Sequence, residues 1–218
     1  MAKLWEMKNI FVAFLSLIIG AYSAQAQANS KGSEVLTKVF TKAKSYETIE
    51  LDLSFELKIH PNGVDTTMRS ILKIKGNKFL LFMDRKNLIC DGINIYMLDT
   101  VKKEAEVDEL KYLDSTEVWP FTMLTFYQYG FTKNATGVKK DEQGRSIMII
   151  EVLPEKTRKF KYLSARICVD TDKSDIVKIT LRGKSGEETS FIIHSIKANE
   201  VMDDKMFEYD KIKYKDYN

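Results

Sequence analysis

Residues 49–59 alternate apolar and polar side chains without a break, and this alternation limits the possible folds more than any other feature. Apolar residues occupy the odd positions from Ile49 to Ile59, and charged or small polar residues occupy the even positions. Because successive side chains of a strand point to opposite faces, the pattern predicts a long β-strand with one buried face. Such a strand is stable only within a sheet whose apolar face is covered.

Shorter segments of strand-like composition follow, separated by turn residues such as Asp91-Gly92. These predicted strands cover residues 66–75, 78–84, 88–90, 93–99, 104–107, 146–153, 162–170, 176–182 and 189–197. Strands and helices do not alternate regularly, which favours an antiparallel sheet or barrel of about ten strands over a parallel α/β fold. Some strands, such as residues 147–150, are apolar on both faces, so helices must cover the sheet.

The first predicted helix covers residues 33–45. Leu36 and Val39 belong to an apolar stripe on one helical face, lysines occupy the other face, and Ser33 is available as the N-cap. This segment is therefore expected to pack on the sheet as an amphipathic helix.

The second predicted helix covers residues 119–131, between Pro120, which suits the first turn of a helix, and Gly130, which suits its end. The apolar residues between them are Phe121, Met123, Leu124, Phe126 and Tyr127. Two interpretations fit this segment. It is either a helix of the core or a lid across the mouth of a half-closed sheet, covering a cavity for an acyl chain.

The N-terminal segment has the pattern of a secretory signal peptide. Lys3 and Lys8 precede the apolar residues 10–21, and Ala24-Gln25-Ala26 matches the small-x-small cleavage rule. The apolar run is shorter than the about 20 residues that span a bilayer. We therefore predict a cleaved signal peptide over residues 1–26, a single domain over residues 27–218, and a periplasmic location.

Charge and composition restrict the function classes. The 34 Lys and Arg against 31 Asp and Glu give a net charge of +3, so no nucleic-acid partner is expected. With two cysteines and two histidines, the sequence predicts neither a metal site nor a cofactor. The sequence has no Gly-x-Ser-x-Gly, Gly-rich phosphate-loop or His-Glu-x-x-His motif, so no enzyme activity is predicted. Whether Cys90 and Cys168 pair stays open.

Taken in order, these segments resemble the LolA family of periplasmic lipoprotein carriers. The similarity runs through the opening helix and the strand at 49–59 and then through several short motifs. These are Lys75-Gly76-Asn77-Lys78-Phe79, Cys90-Asp91-Gly92 followed by Tyr96-Met97-Leu98-Asp99, Pro120-Phe121 through Tyr129-Gly130-Phe131, Asn199, and Phe207-Glu208-Tyr209. The resemblance implies a mainly β (α+β) fold, an unclosed antiparallel β-barrel with helices packed in or over its concave face.

The resemblance also implies a function and partners. A member of this family ferries the acyl chains of lipoproteins in an apolar cavity. The implied partners are acylated lipoproteins, an inner-membrane lipoprotein-releasing ABC transporter, and the outer membrane or its lipoprotein acceptor. The protein is expected to be a monomer. Two alternatives to the carrier function remain. One is a periplasmic sensor or interaction module on the same fold, and the other, which ranks last, is a hydrolase.

Apolar strand residues are the candidates for the cavity wall. They are Leu51, Leu53, Phe55, Leu72, Ile74, Leu81, Ile95, Ile149 and Phe191. A register shift of one residue exchanges the two faces of a strand, so the sequence leaves the inward face open. The resemblance places a lid-latching residue at Lys75, where the family has arginine. Because lysine lacks the planar fork of arginine, a latch at Lys75 would be looser.

Overall fold

One antiparallel sheet of twelve strands organises the described chain. The structure is a computed structural model and describes residues 29–59, 64–113, 117–156 and 159–217. The strands are β1 (Thr48–Ile59), β2 (Val64–Lys75), β3 (Lys78–Phe82), β4 (Lys86–Cys90), β5 (Asn94–Asp99), β6 (Glu104–Glu109), β7 (Phe131–Ala135), β8 (Lys139–Lys140), β9 (Ser146–Pro154), β10 (Tyr162–Asp170), β11 (Asp175–Gly183) and β12 (Glu188–Ala198). An α-helix, α1, covers residues 29–44.

The order of strands across the sheet is β6-β5-β4-β3-β2-β1-β12-β11-β10-β9-β7, and β8 also pairs with β9. The first and last strands of the chain, β1 and β12, therefore meet in the middle of the sheet. The two ends of this order are β6 and β7, which do not pair with each other. The sheet is thus unclosed and antiparallel, which confirms the predicted fold class.

All the predicted strands occur, with small shifts at their ends. The sequence analysis missed β7 and β8, which follow one another along β9. Neither segment shows a long apolar alternation. β7 has five residues, FTKNA, and β8 has only two, both exposed lysines. Pairing with β9, and not an amphipathic pattern of its own, makes this stretch extended.

The long strand β1 has the sidedness that its sequence predicts. Its odd positions are largely buried, and Leu51 pairs with Leu72 of β2 while Leu53 pairs with Ile193 of β12. Leu36 and Val39 of α1 belong to the same apolar core. We call the face that carries α1 the inner face and the opposite one the outer face.

The N-terminal part of α1 packs closely against β7. A Cβ added to Gly32 would lie 2.3 Å from the Cβ of Ala135, so this approach requires glycine. The amide of Ala135 donates a hydrogen bond to the Asn29 side-chain oxygen over 3.0 Å. Near the other end of the helix, the Lys42 ammonium lies 2.6 Å from the Asp175 carboxylate. These contacts fix α1 across the inner face.

The predicted helix at 119–131 does not form. The segment contains two 3-10 helical turns, Pro120–Thr122 and Phe126–Gln128, joined by a turn at residues 123–125. The Thr122 hydroxyl bonds to the Trp119 carbonyl oxygen over 3.1 Å, and the Thr125 hydroxyl bonds to the Thr122 carbonyl oxygen over 3.3 Å. Such side-chain bonds can compete with the backbone bonds of an α-helix. The prediction that this segment is apolar is confirmed, and the prediction that it is an α-helix is wrong.

The C-terminal segment, residues 199–217, covers part of the outer face. Its buried residues Met202, Phe207 and Tyr214 form a second apolar cluster with Leu80, Ile89 and Leu98 of the sheet. The Tyr209 ring stacks on the Tyr96 ring with 4.5 Å between centroids. The outer face of β3–β5 is therefore part of a core, which explains why these strands are apolar on both sides.

The predicted signal peptide, residues 1–26, lies outside the described residues. Within the described residues, no helix combines the length and apolar character needed to cross a bilayer.

Replacing the fully buried Phe207 by alanine should lower the free energy of unfolding by about 3–5 kcal/mol, because it leaves a cavity beneath the C-terminal segment. Urea denaturation would measure this loss. The matched control is Ile212→Ala, since Ile212 is 83% exposed in the same segment and should change stability by less than about 0.5 kcal/mol. Equal small effects would mean that the segment does not dock on the sheet.

Candidate functional site

An apolar cleft, which we call the central cleft, opens on the inner face. Its empty space is about 380 Å³, which includes the solvent-filled mouth. It is lined by Leu53, Phe55, Ser70, Leu72, Leu81, Met83, Val118, Trp119, Pro120, Met123 and Phe191. Apart from Ser70 and the Trp119 indole, these side chains are apolar, so the cleft suits hydrocarbon.

The roof of the central cleft is residues 118–130, which we call the cover segment. It contains no charged residue. The Phe121 ring stacks on the Phe79 ring of β3 with 5.8 Å between centroids. Met123, Leu124 and Tyr127 are buried in the inner-face core. Apolar and aromatic contacts therefore hold this segment on the sheet.

Two further clefts border the cover segment. One, of about 750 Å³, lies between Phe121 and Leu124 and the α1–β1 corner at Tyr46. The other, of about 650 Å³, lies between Phe126 and the aromatic residues Phe160 and Tyr162. Both volumes include open solvent. The cover segment therefore lines all three clefts.

Two buried hydroxyls at this site lack hydrogen-bond partners among the described atoms, namely those of Ser70 and Tyr127. Ser70 lies in the wall of the central cleft and Tyr127 lies in the cover segment. Burial alone raises the pKa of Tyr127 far above its usual value. A buried hydroxyl without a hydrogen-bond partner lowers the stability of the folded protein. Contact with solvent, or a hydrogen bond to a ligand, would remove this penalty at each of the two hydroxyls.

The structure places the predicted cavity residues as follows. Leu53, Phe55, Leu72, Leu81 and Phe191 line the central cleft.

The other candidates divide between the two faces. Ile74 lines the cleft at the α1–β1 corner, and Leu51 and Ile95 are buried in the inner-face core. The prediction that Ile149 lines the cavity is wrong, because the buried inner positions of β9 are Met148, Ile150 and Val152. Ile149 therefore points to the outer face, where its cross-strand partner is Cys168.

The predicted lid residues all lie in the cover segment. Pro120 and Met123 line the central cleft, Phe121 and Leu124 line the corner cleft, Phe126 lines the aromatic cleft, and Tyr127 is fully buried.

Ser70 and Met83 were missed by the sequence analysis. Ser70 could have been found, because it is two residues before Leu72 and strand alternation places both on one face.

Lys75 does not latch the cover segment. It follows the inward-facing Ile74 on β2 and so lies on the outer face. Its ammonium donates to the Met202 carbonyl oxygen over 2.9 Å and lies 3.3 Å from the Asp204 carboxylate. Hydrogen bonds from Lys78 and Lys75 lower the pKa of Asp204. Lys75 thus fastens the C-terminal segment, which corrects the latch predicted from the resemblance.

One pair of polar side chains has the composition of a catalytic dyad. The Ser54 hydroxyl lies 2.7 Å from Nε2 of His194, and Asp52, on the same face of β1, is bound by Arg69 through two hydrogen bonds. The pair is solvent-exposed on the outer face, and β1 is paired with strands on both sides. Most backbone amides of β1 are therefore engaged in the sheet, whose register shifts at a β-bulge between Asp52 and Leu53, opposite His194. We interpret the pair as a surface hydrogen bond.

Both cysteines are free thiols, with Cys90 buried on β4 and Cys168 on the outer face of β10. Burial raises the pKa of both thiols. His60 lies outside the described residues. In the part of the chain that the structure covers, no group of three or more His, Cys, Asp or Glu residues is placed to hold a metal ion.

A family model described as outer membrane lipoprotein carrier protein LolA matches residues 74–210, more than half of the chain. The chain belongs to the LolA family. The matched LolA region includes β3–β12, the cover segment and most of the C-terminal segment. Comparison with curated protein sequences gives no significant match.

The chain is similar to several solved structures. An uncharacterised conserved protein from Thermus thermophilus is 6% identical, with a TM-score of 0.53 over 82% of this chain and 93% of that one. A LolA superfamily protein from Nitrosomonas europaea is 10% identical, with a TM-score of 0.43 over 82% and 97%. The lipoprotein LppX of Mycobacterium tuberculosis is 15% identical, with a TM-score of 0.49 over 78% and 97%. At 6% identity, the likeness to the Thermus protein shows a shared fold alone.

Tyr127→Phe should raise the free energy of unfolding by about 1–3 kcal/mol, because it removes a buried hydroxyl without a partner and keeps the ring. Urea denaturation of the ligand-free protein would test this. Tyr129→Phe is the control, since Tyr129 is 79% exposed in the same segment. A loss of stability in Tyr127→Phe would show that the hydroxyl is bonded in the folded protein.

Proposed function

We propose that this protein is a periplasmic carrier that binds the acyl chains of lipoproteins in the central cleft and takes them from the inner to the outer membrane. The observation that carries the proposal is the apolar central cleft, roofed by an uncharged segment that borders two more clefts. Membership of the LolA family supports the same assignment. We assign this role to residues 27–218, after removal of residues 1–26 as a signal peptide.

Hydrocarbon sets the physical requirement for such a carrier. Each buried CH₂ group contributes about 0.8 kcal/mol, so a lipoprotein with several acyl chains does not leave a membrane unaided at a useful rate. In the proposed cycle an inner-membrane ABC transporter supplies the energy for release of the lipoprotein. The carrier then shields the chains from water until it meets the outer membrane or an acceptor there.

Release requires that the bound state be only moderately favourable. In the proposed cycle, an entering acyl chain displaces the cover segment and replaces its contacts, such as the stacking of Phe121 on Phe79. The favourable free energy of burying the acyl chain is thereby partly offset by the cost of exposing the displaced aromatic and Met side chains to water. The flexible Met83 and Met123 in the lining allow chains of different shape to be accommodated.

The test is saturable binding of a fluorescent fatty-acyl probe to residues 27–218, with substitutions on neighbouring positions of β3. Leu81→Glu places a carboxylate in the central cleft and should weaken binding by more than about tenfold, because burying that charge against hydrocarbon is unfavourable. Phe82→Glu makes the same change on the opposite face, where Phe82 is 40% exposed, and should bind as the wild type does.

Circular dichroism should show that both variants keep the sheet. Equal affinity of Leu81→Glu and the wild type would exclude the central cleft as the acyl site. No saturable binding by the wild-type protein would instead favour the interaction-module alternative. Formation of a soluble complex with an acylated lipoprotein, but not with its unacylated form, is the corresponding test of the cargo.

A further inference from the structure

Ser70 brings a hydroxyl into the wall of the central cleft. It lies on β2 and pairs with Leu53 of β1, and both residues line the cleft. The side chain is only 3% exposed, and its hydroxyl oxygen has no hydrogen-bond partner among the described atoms. A donor and acceptor is thus built into a wall otherwise suited to hydrocarbon.

This hydroxyl is unfavourable in the closed, ligand-free protein. A buried polar group without a partner keeps its desolvation cost, which an alanine at the same position would avoid. A trapped water is a poor remedy, because an internal water needs two to four polar partners and the surrounding side chains are mostly apolar. The partner that fits is therefore a polar atom brought by the ligand itself.

The chemistry of an acylated ligand supplies one such atom near its chain. An acyl group joined to glycerol or to an amine has a carbonyl oxygen at the head of the chain, which accepts hydrogen bonds. The rest of the chain has neither donor nor acceptor. One hydroxyl in an apolar wall matches one carbonyl on an apolar chain.

We propose that the Ser70 hydroxyl donates a hydrogen bond to the carbonyl oxygen of the acyl linkage, so that the central cleft recognises the linked end of an acyl chain and not hydrocarbon alone. This inference rests on the proposed function, because it assumes that the central cleft is the acyl site. Ser70 then sets how far a chain enters the cleft, while Leu72, Leu81 and Phe191 contact its methylene groups.

The test compares two lipids that differ only at the carbonyl. One is 1-palmitoylglycerol and the other is 1-O-hexadecylglycerol, its ether analogue, each used below its aggregation concentration to displace a fluorescent fatty-acyl probe. The wild-type protein should bind the ester about five- to tenfold more tightly than the ether. Ser70→Ala should abolish this preference by weakening ester binding alone, and Ser70→Thr, which keeps a hydroxyl, should restore part of it.

Ser54→Ala is the matched control, because Ser54 lies on β1 beside Leu53 but faces outward towards His194. It should keep the full preference for the ester. The urea midpoint of ligand-free Ser70→Ala should rise, whereas a fall would show that the hydroxyl already has a partner in the protein and would overturn the inference.

The outcomes separate the two proposals. Binding of both lipids without an ester preference, or an ester preference that persists in Ser70→Ala, overturns the role of Ser70 and leaves the carrier function intact. Failure of the wild-type protein to bind either lipid or the probe overturns the proposed function itself.

Discussion

The constraint on which the structure depends is that an open sheet with an apolar inner face must be covered. A closed barrel would bury that face by itself, but here β6 and β7 do not pair and the face needs other elements. The helix α1 and the cover segment supply that cover by burying Leu36, Met123 and Tyr127 against the strands. Any ligand for the inner face has to compete with one of these covers.

The two faces of the sheet are covered in physically different ways. On the outer face, ion pairs of Lys75 and Lys78 with Asp204 fasten the C-terminal segment in addition to its apolar cluster around Phe207. On the inner face, the cover segment contains two short 3-10 turns held by apolar and aromatic contacts, and its Tyr127 hydroxyl has no partner among the described atoms. In the proposed cycle the cover segment is the one displaced, since its apolar contacts can be replaced by those of a ligand.

This difference connects the fold with the proposed carrier role. Acyl chains are non-directional ligands, so affinity for them comes from area buried and not from specific contacts. A carrier gains the ability to release them when its own side chains compete for the same surface. In the proposed binding mode, the Ser70 hydroxyl adds one directional contact to an otherwise unspecific site.

Much of the fold could be predicted from the sequence, because strand alternation is a local property. The pattern in β1 indicated its buried face, and the order of strands without regular helices indicated an antiparallel, mainly β architecture. Among the candidate cavity residues, Leu53, Phe55, Leu72, Leu81 and Phe191 line the central cleft.

The tertiary structure decided what depends on register and on distant partners. β9 is apolar at successive positions, so only its pairing with β10 shows that Ile150 points inward and Ile149 outward. The same holds for Lys75, whose role depends on a C-terminal segment more than a hundred residues away in sequence. Composition indicated that residues 119–131 would form an apolar covering segment. Only the structure shows that their backbone forms two 3-10 turns, with bonds such as that from the Thr122 amide to the Trp119 carbonyl oxygen.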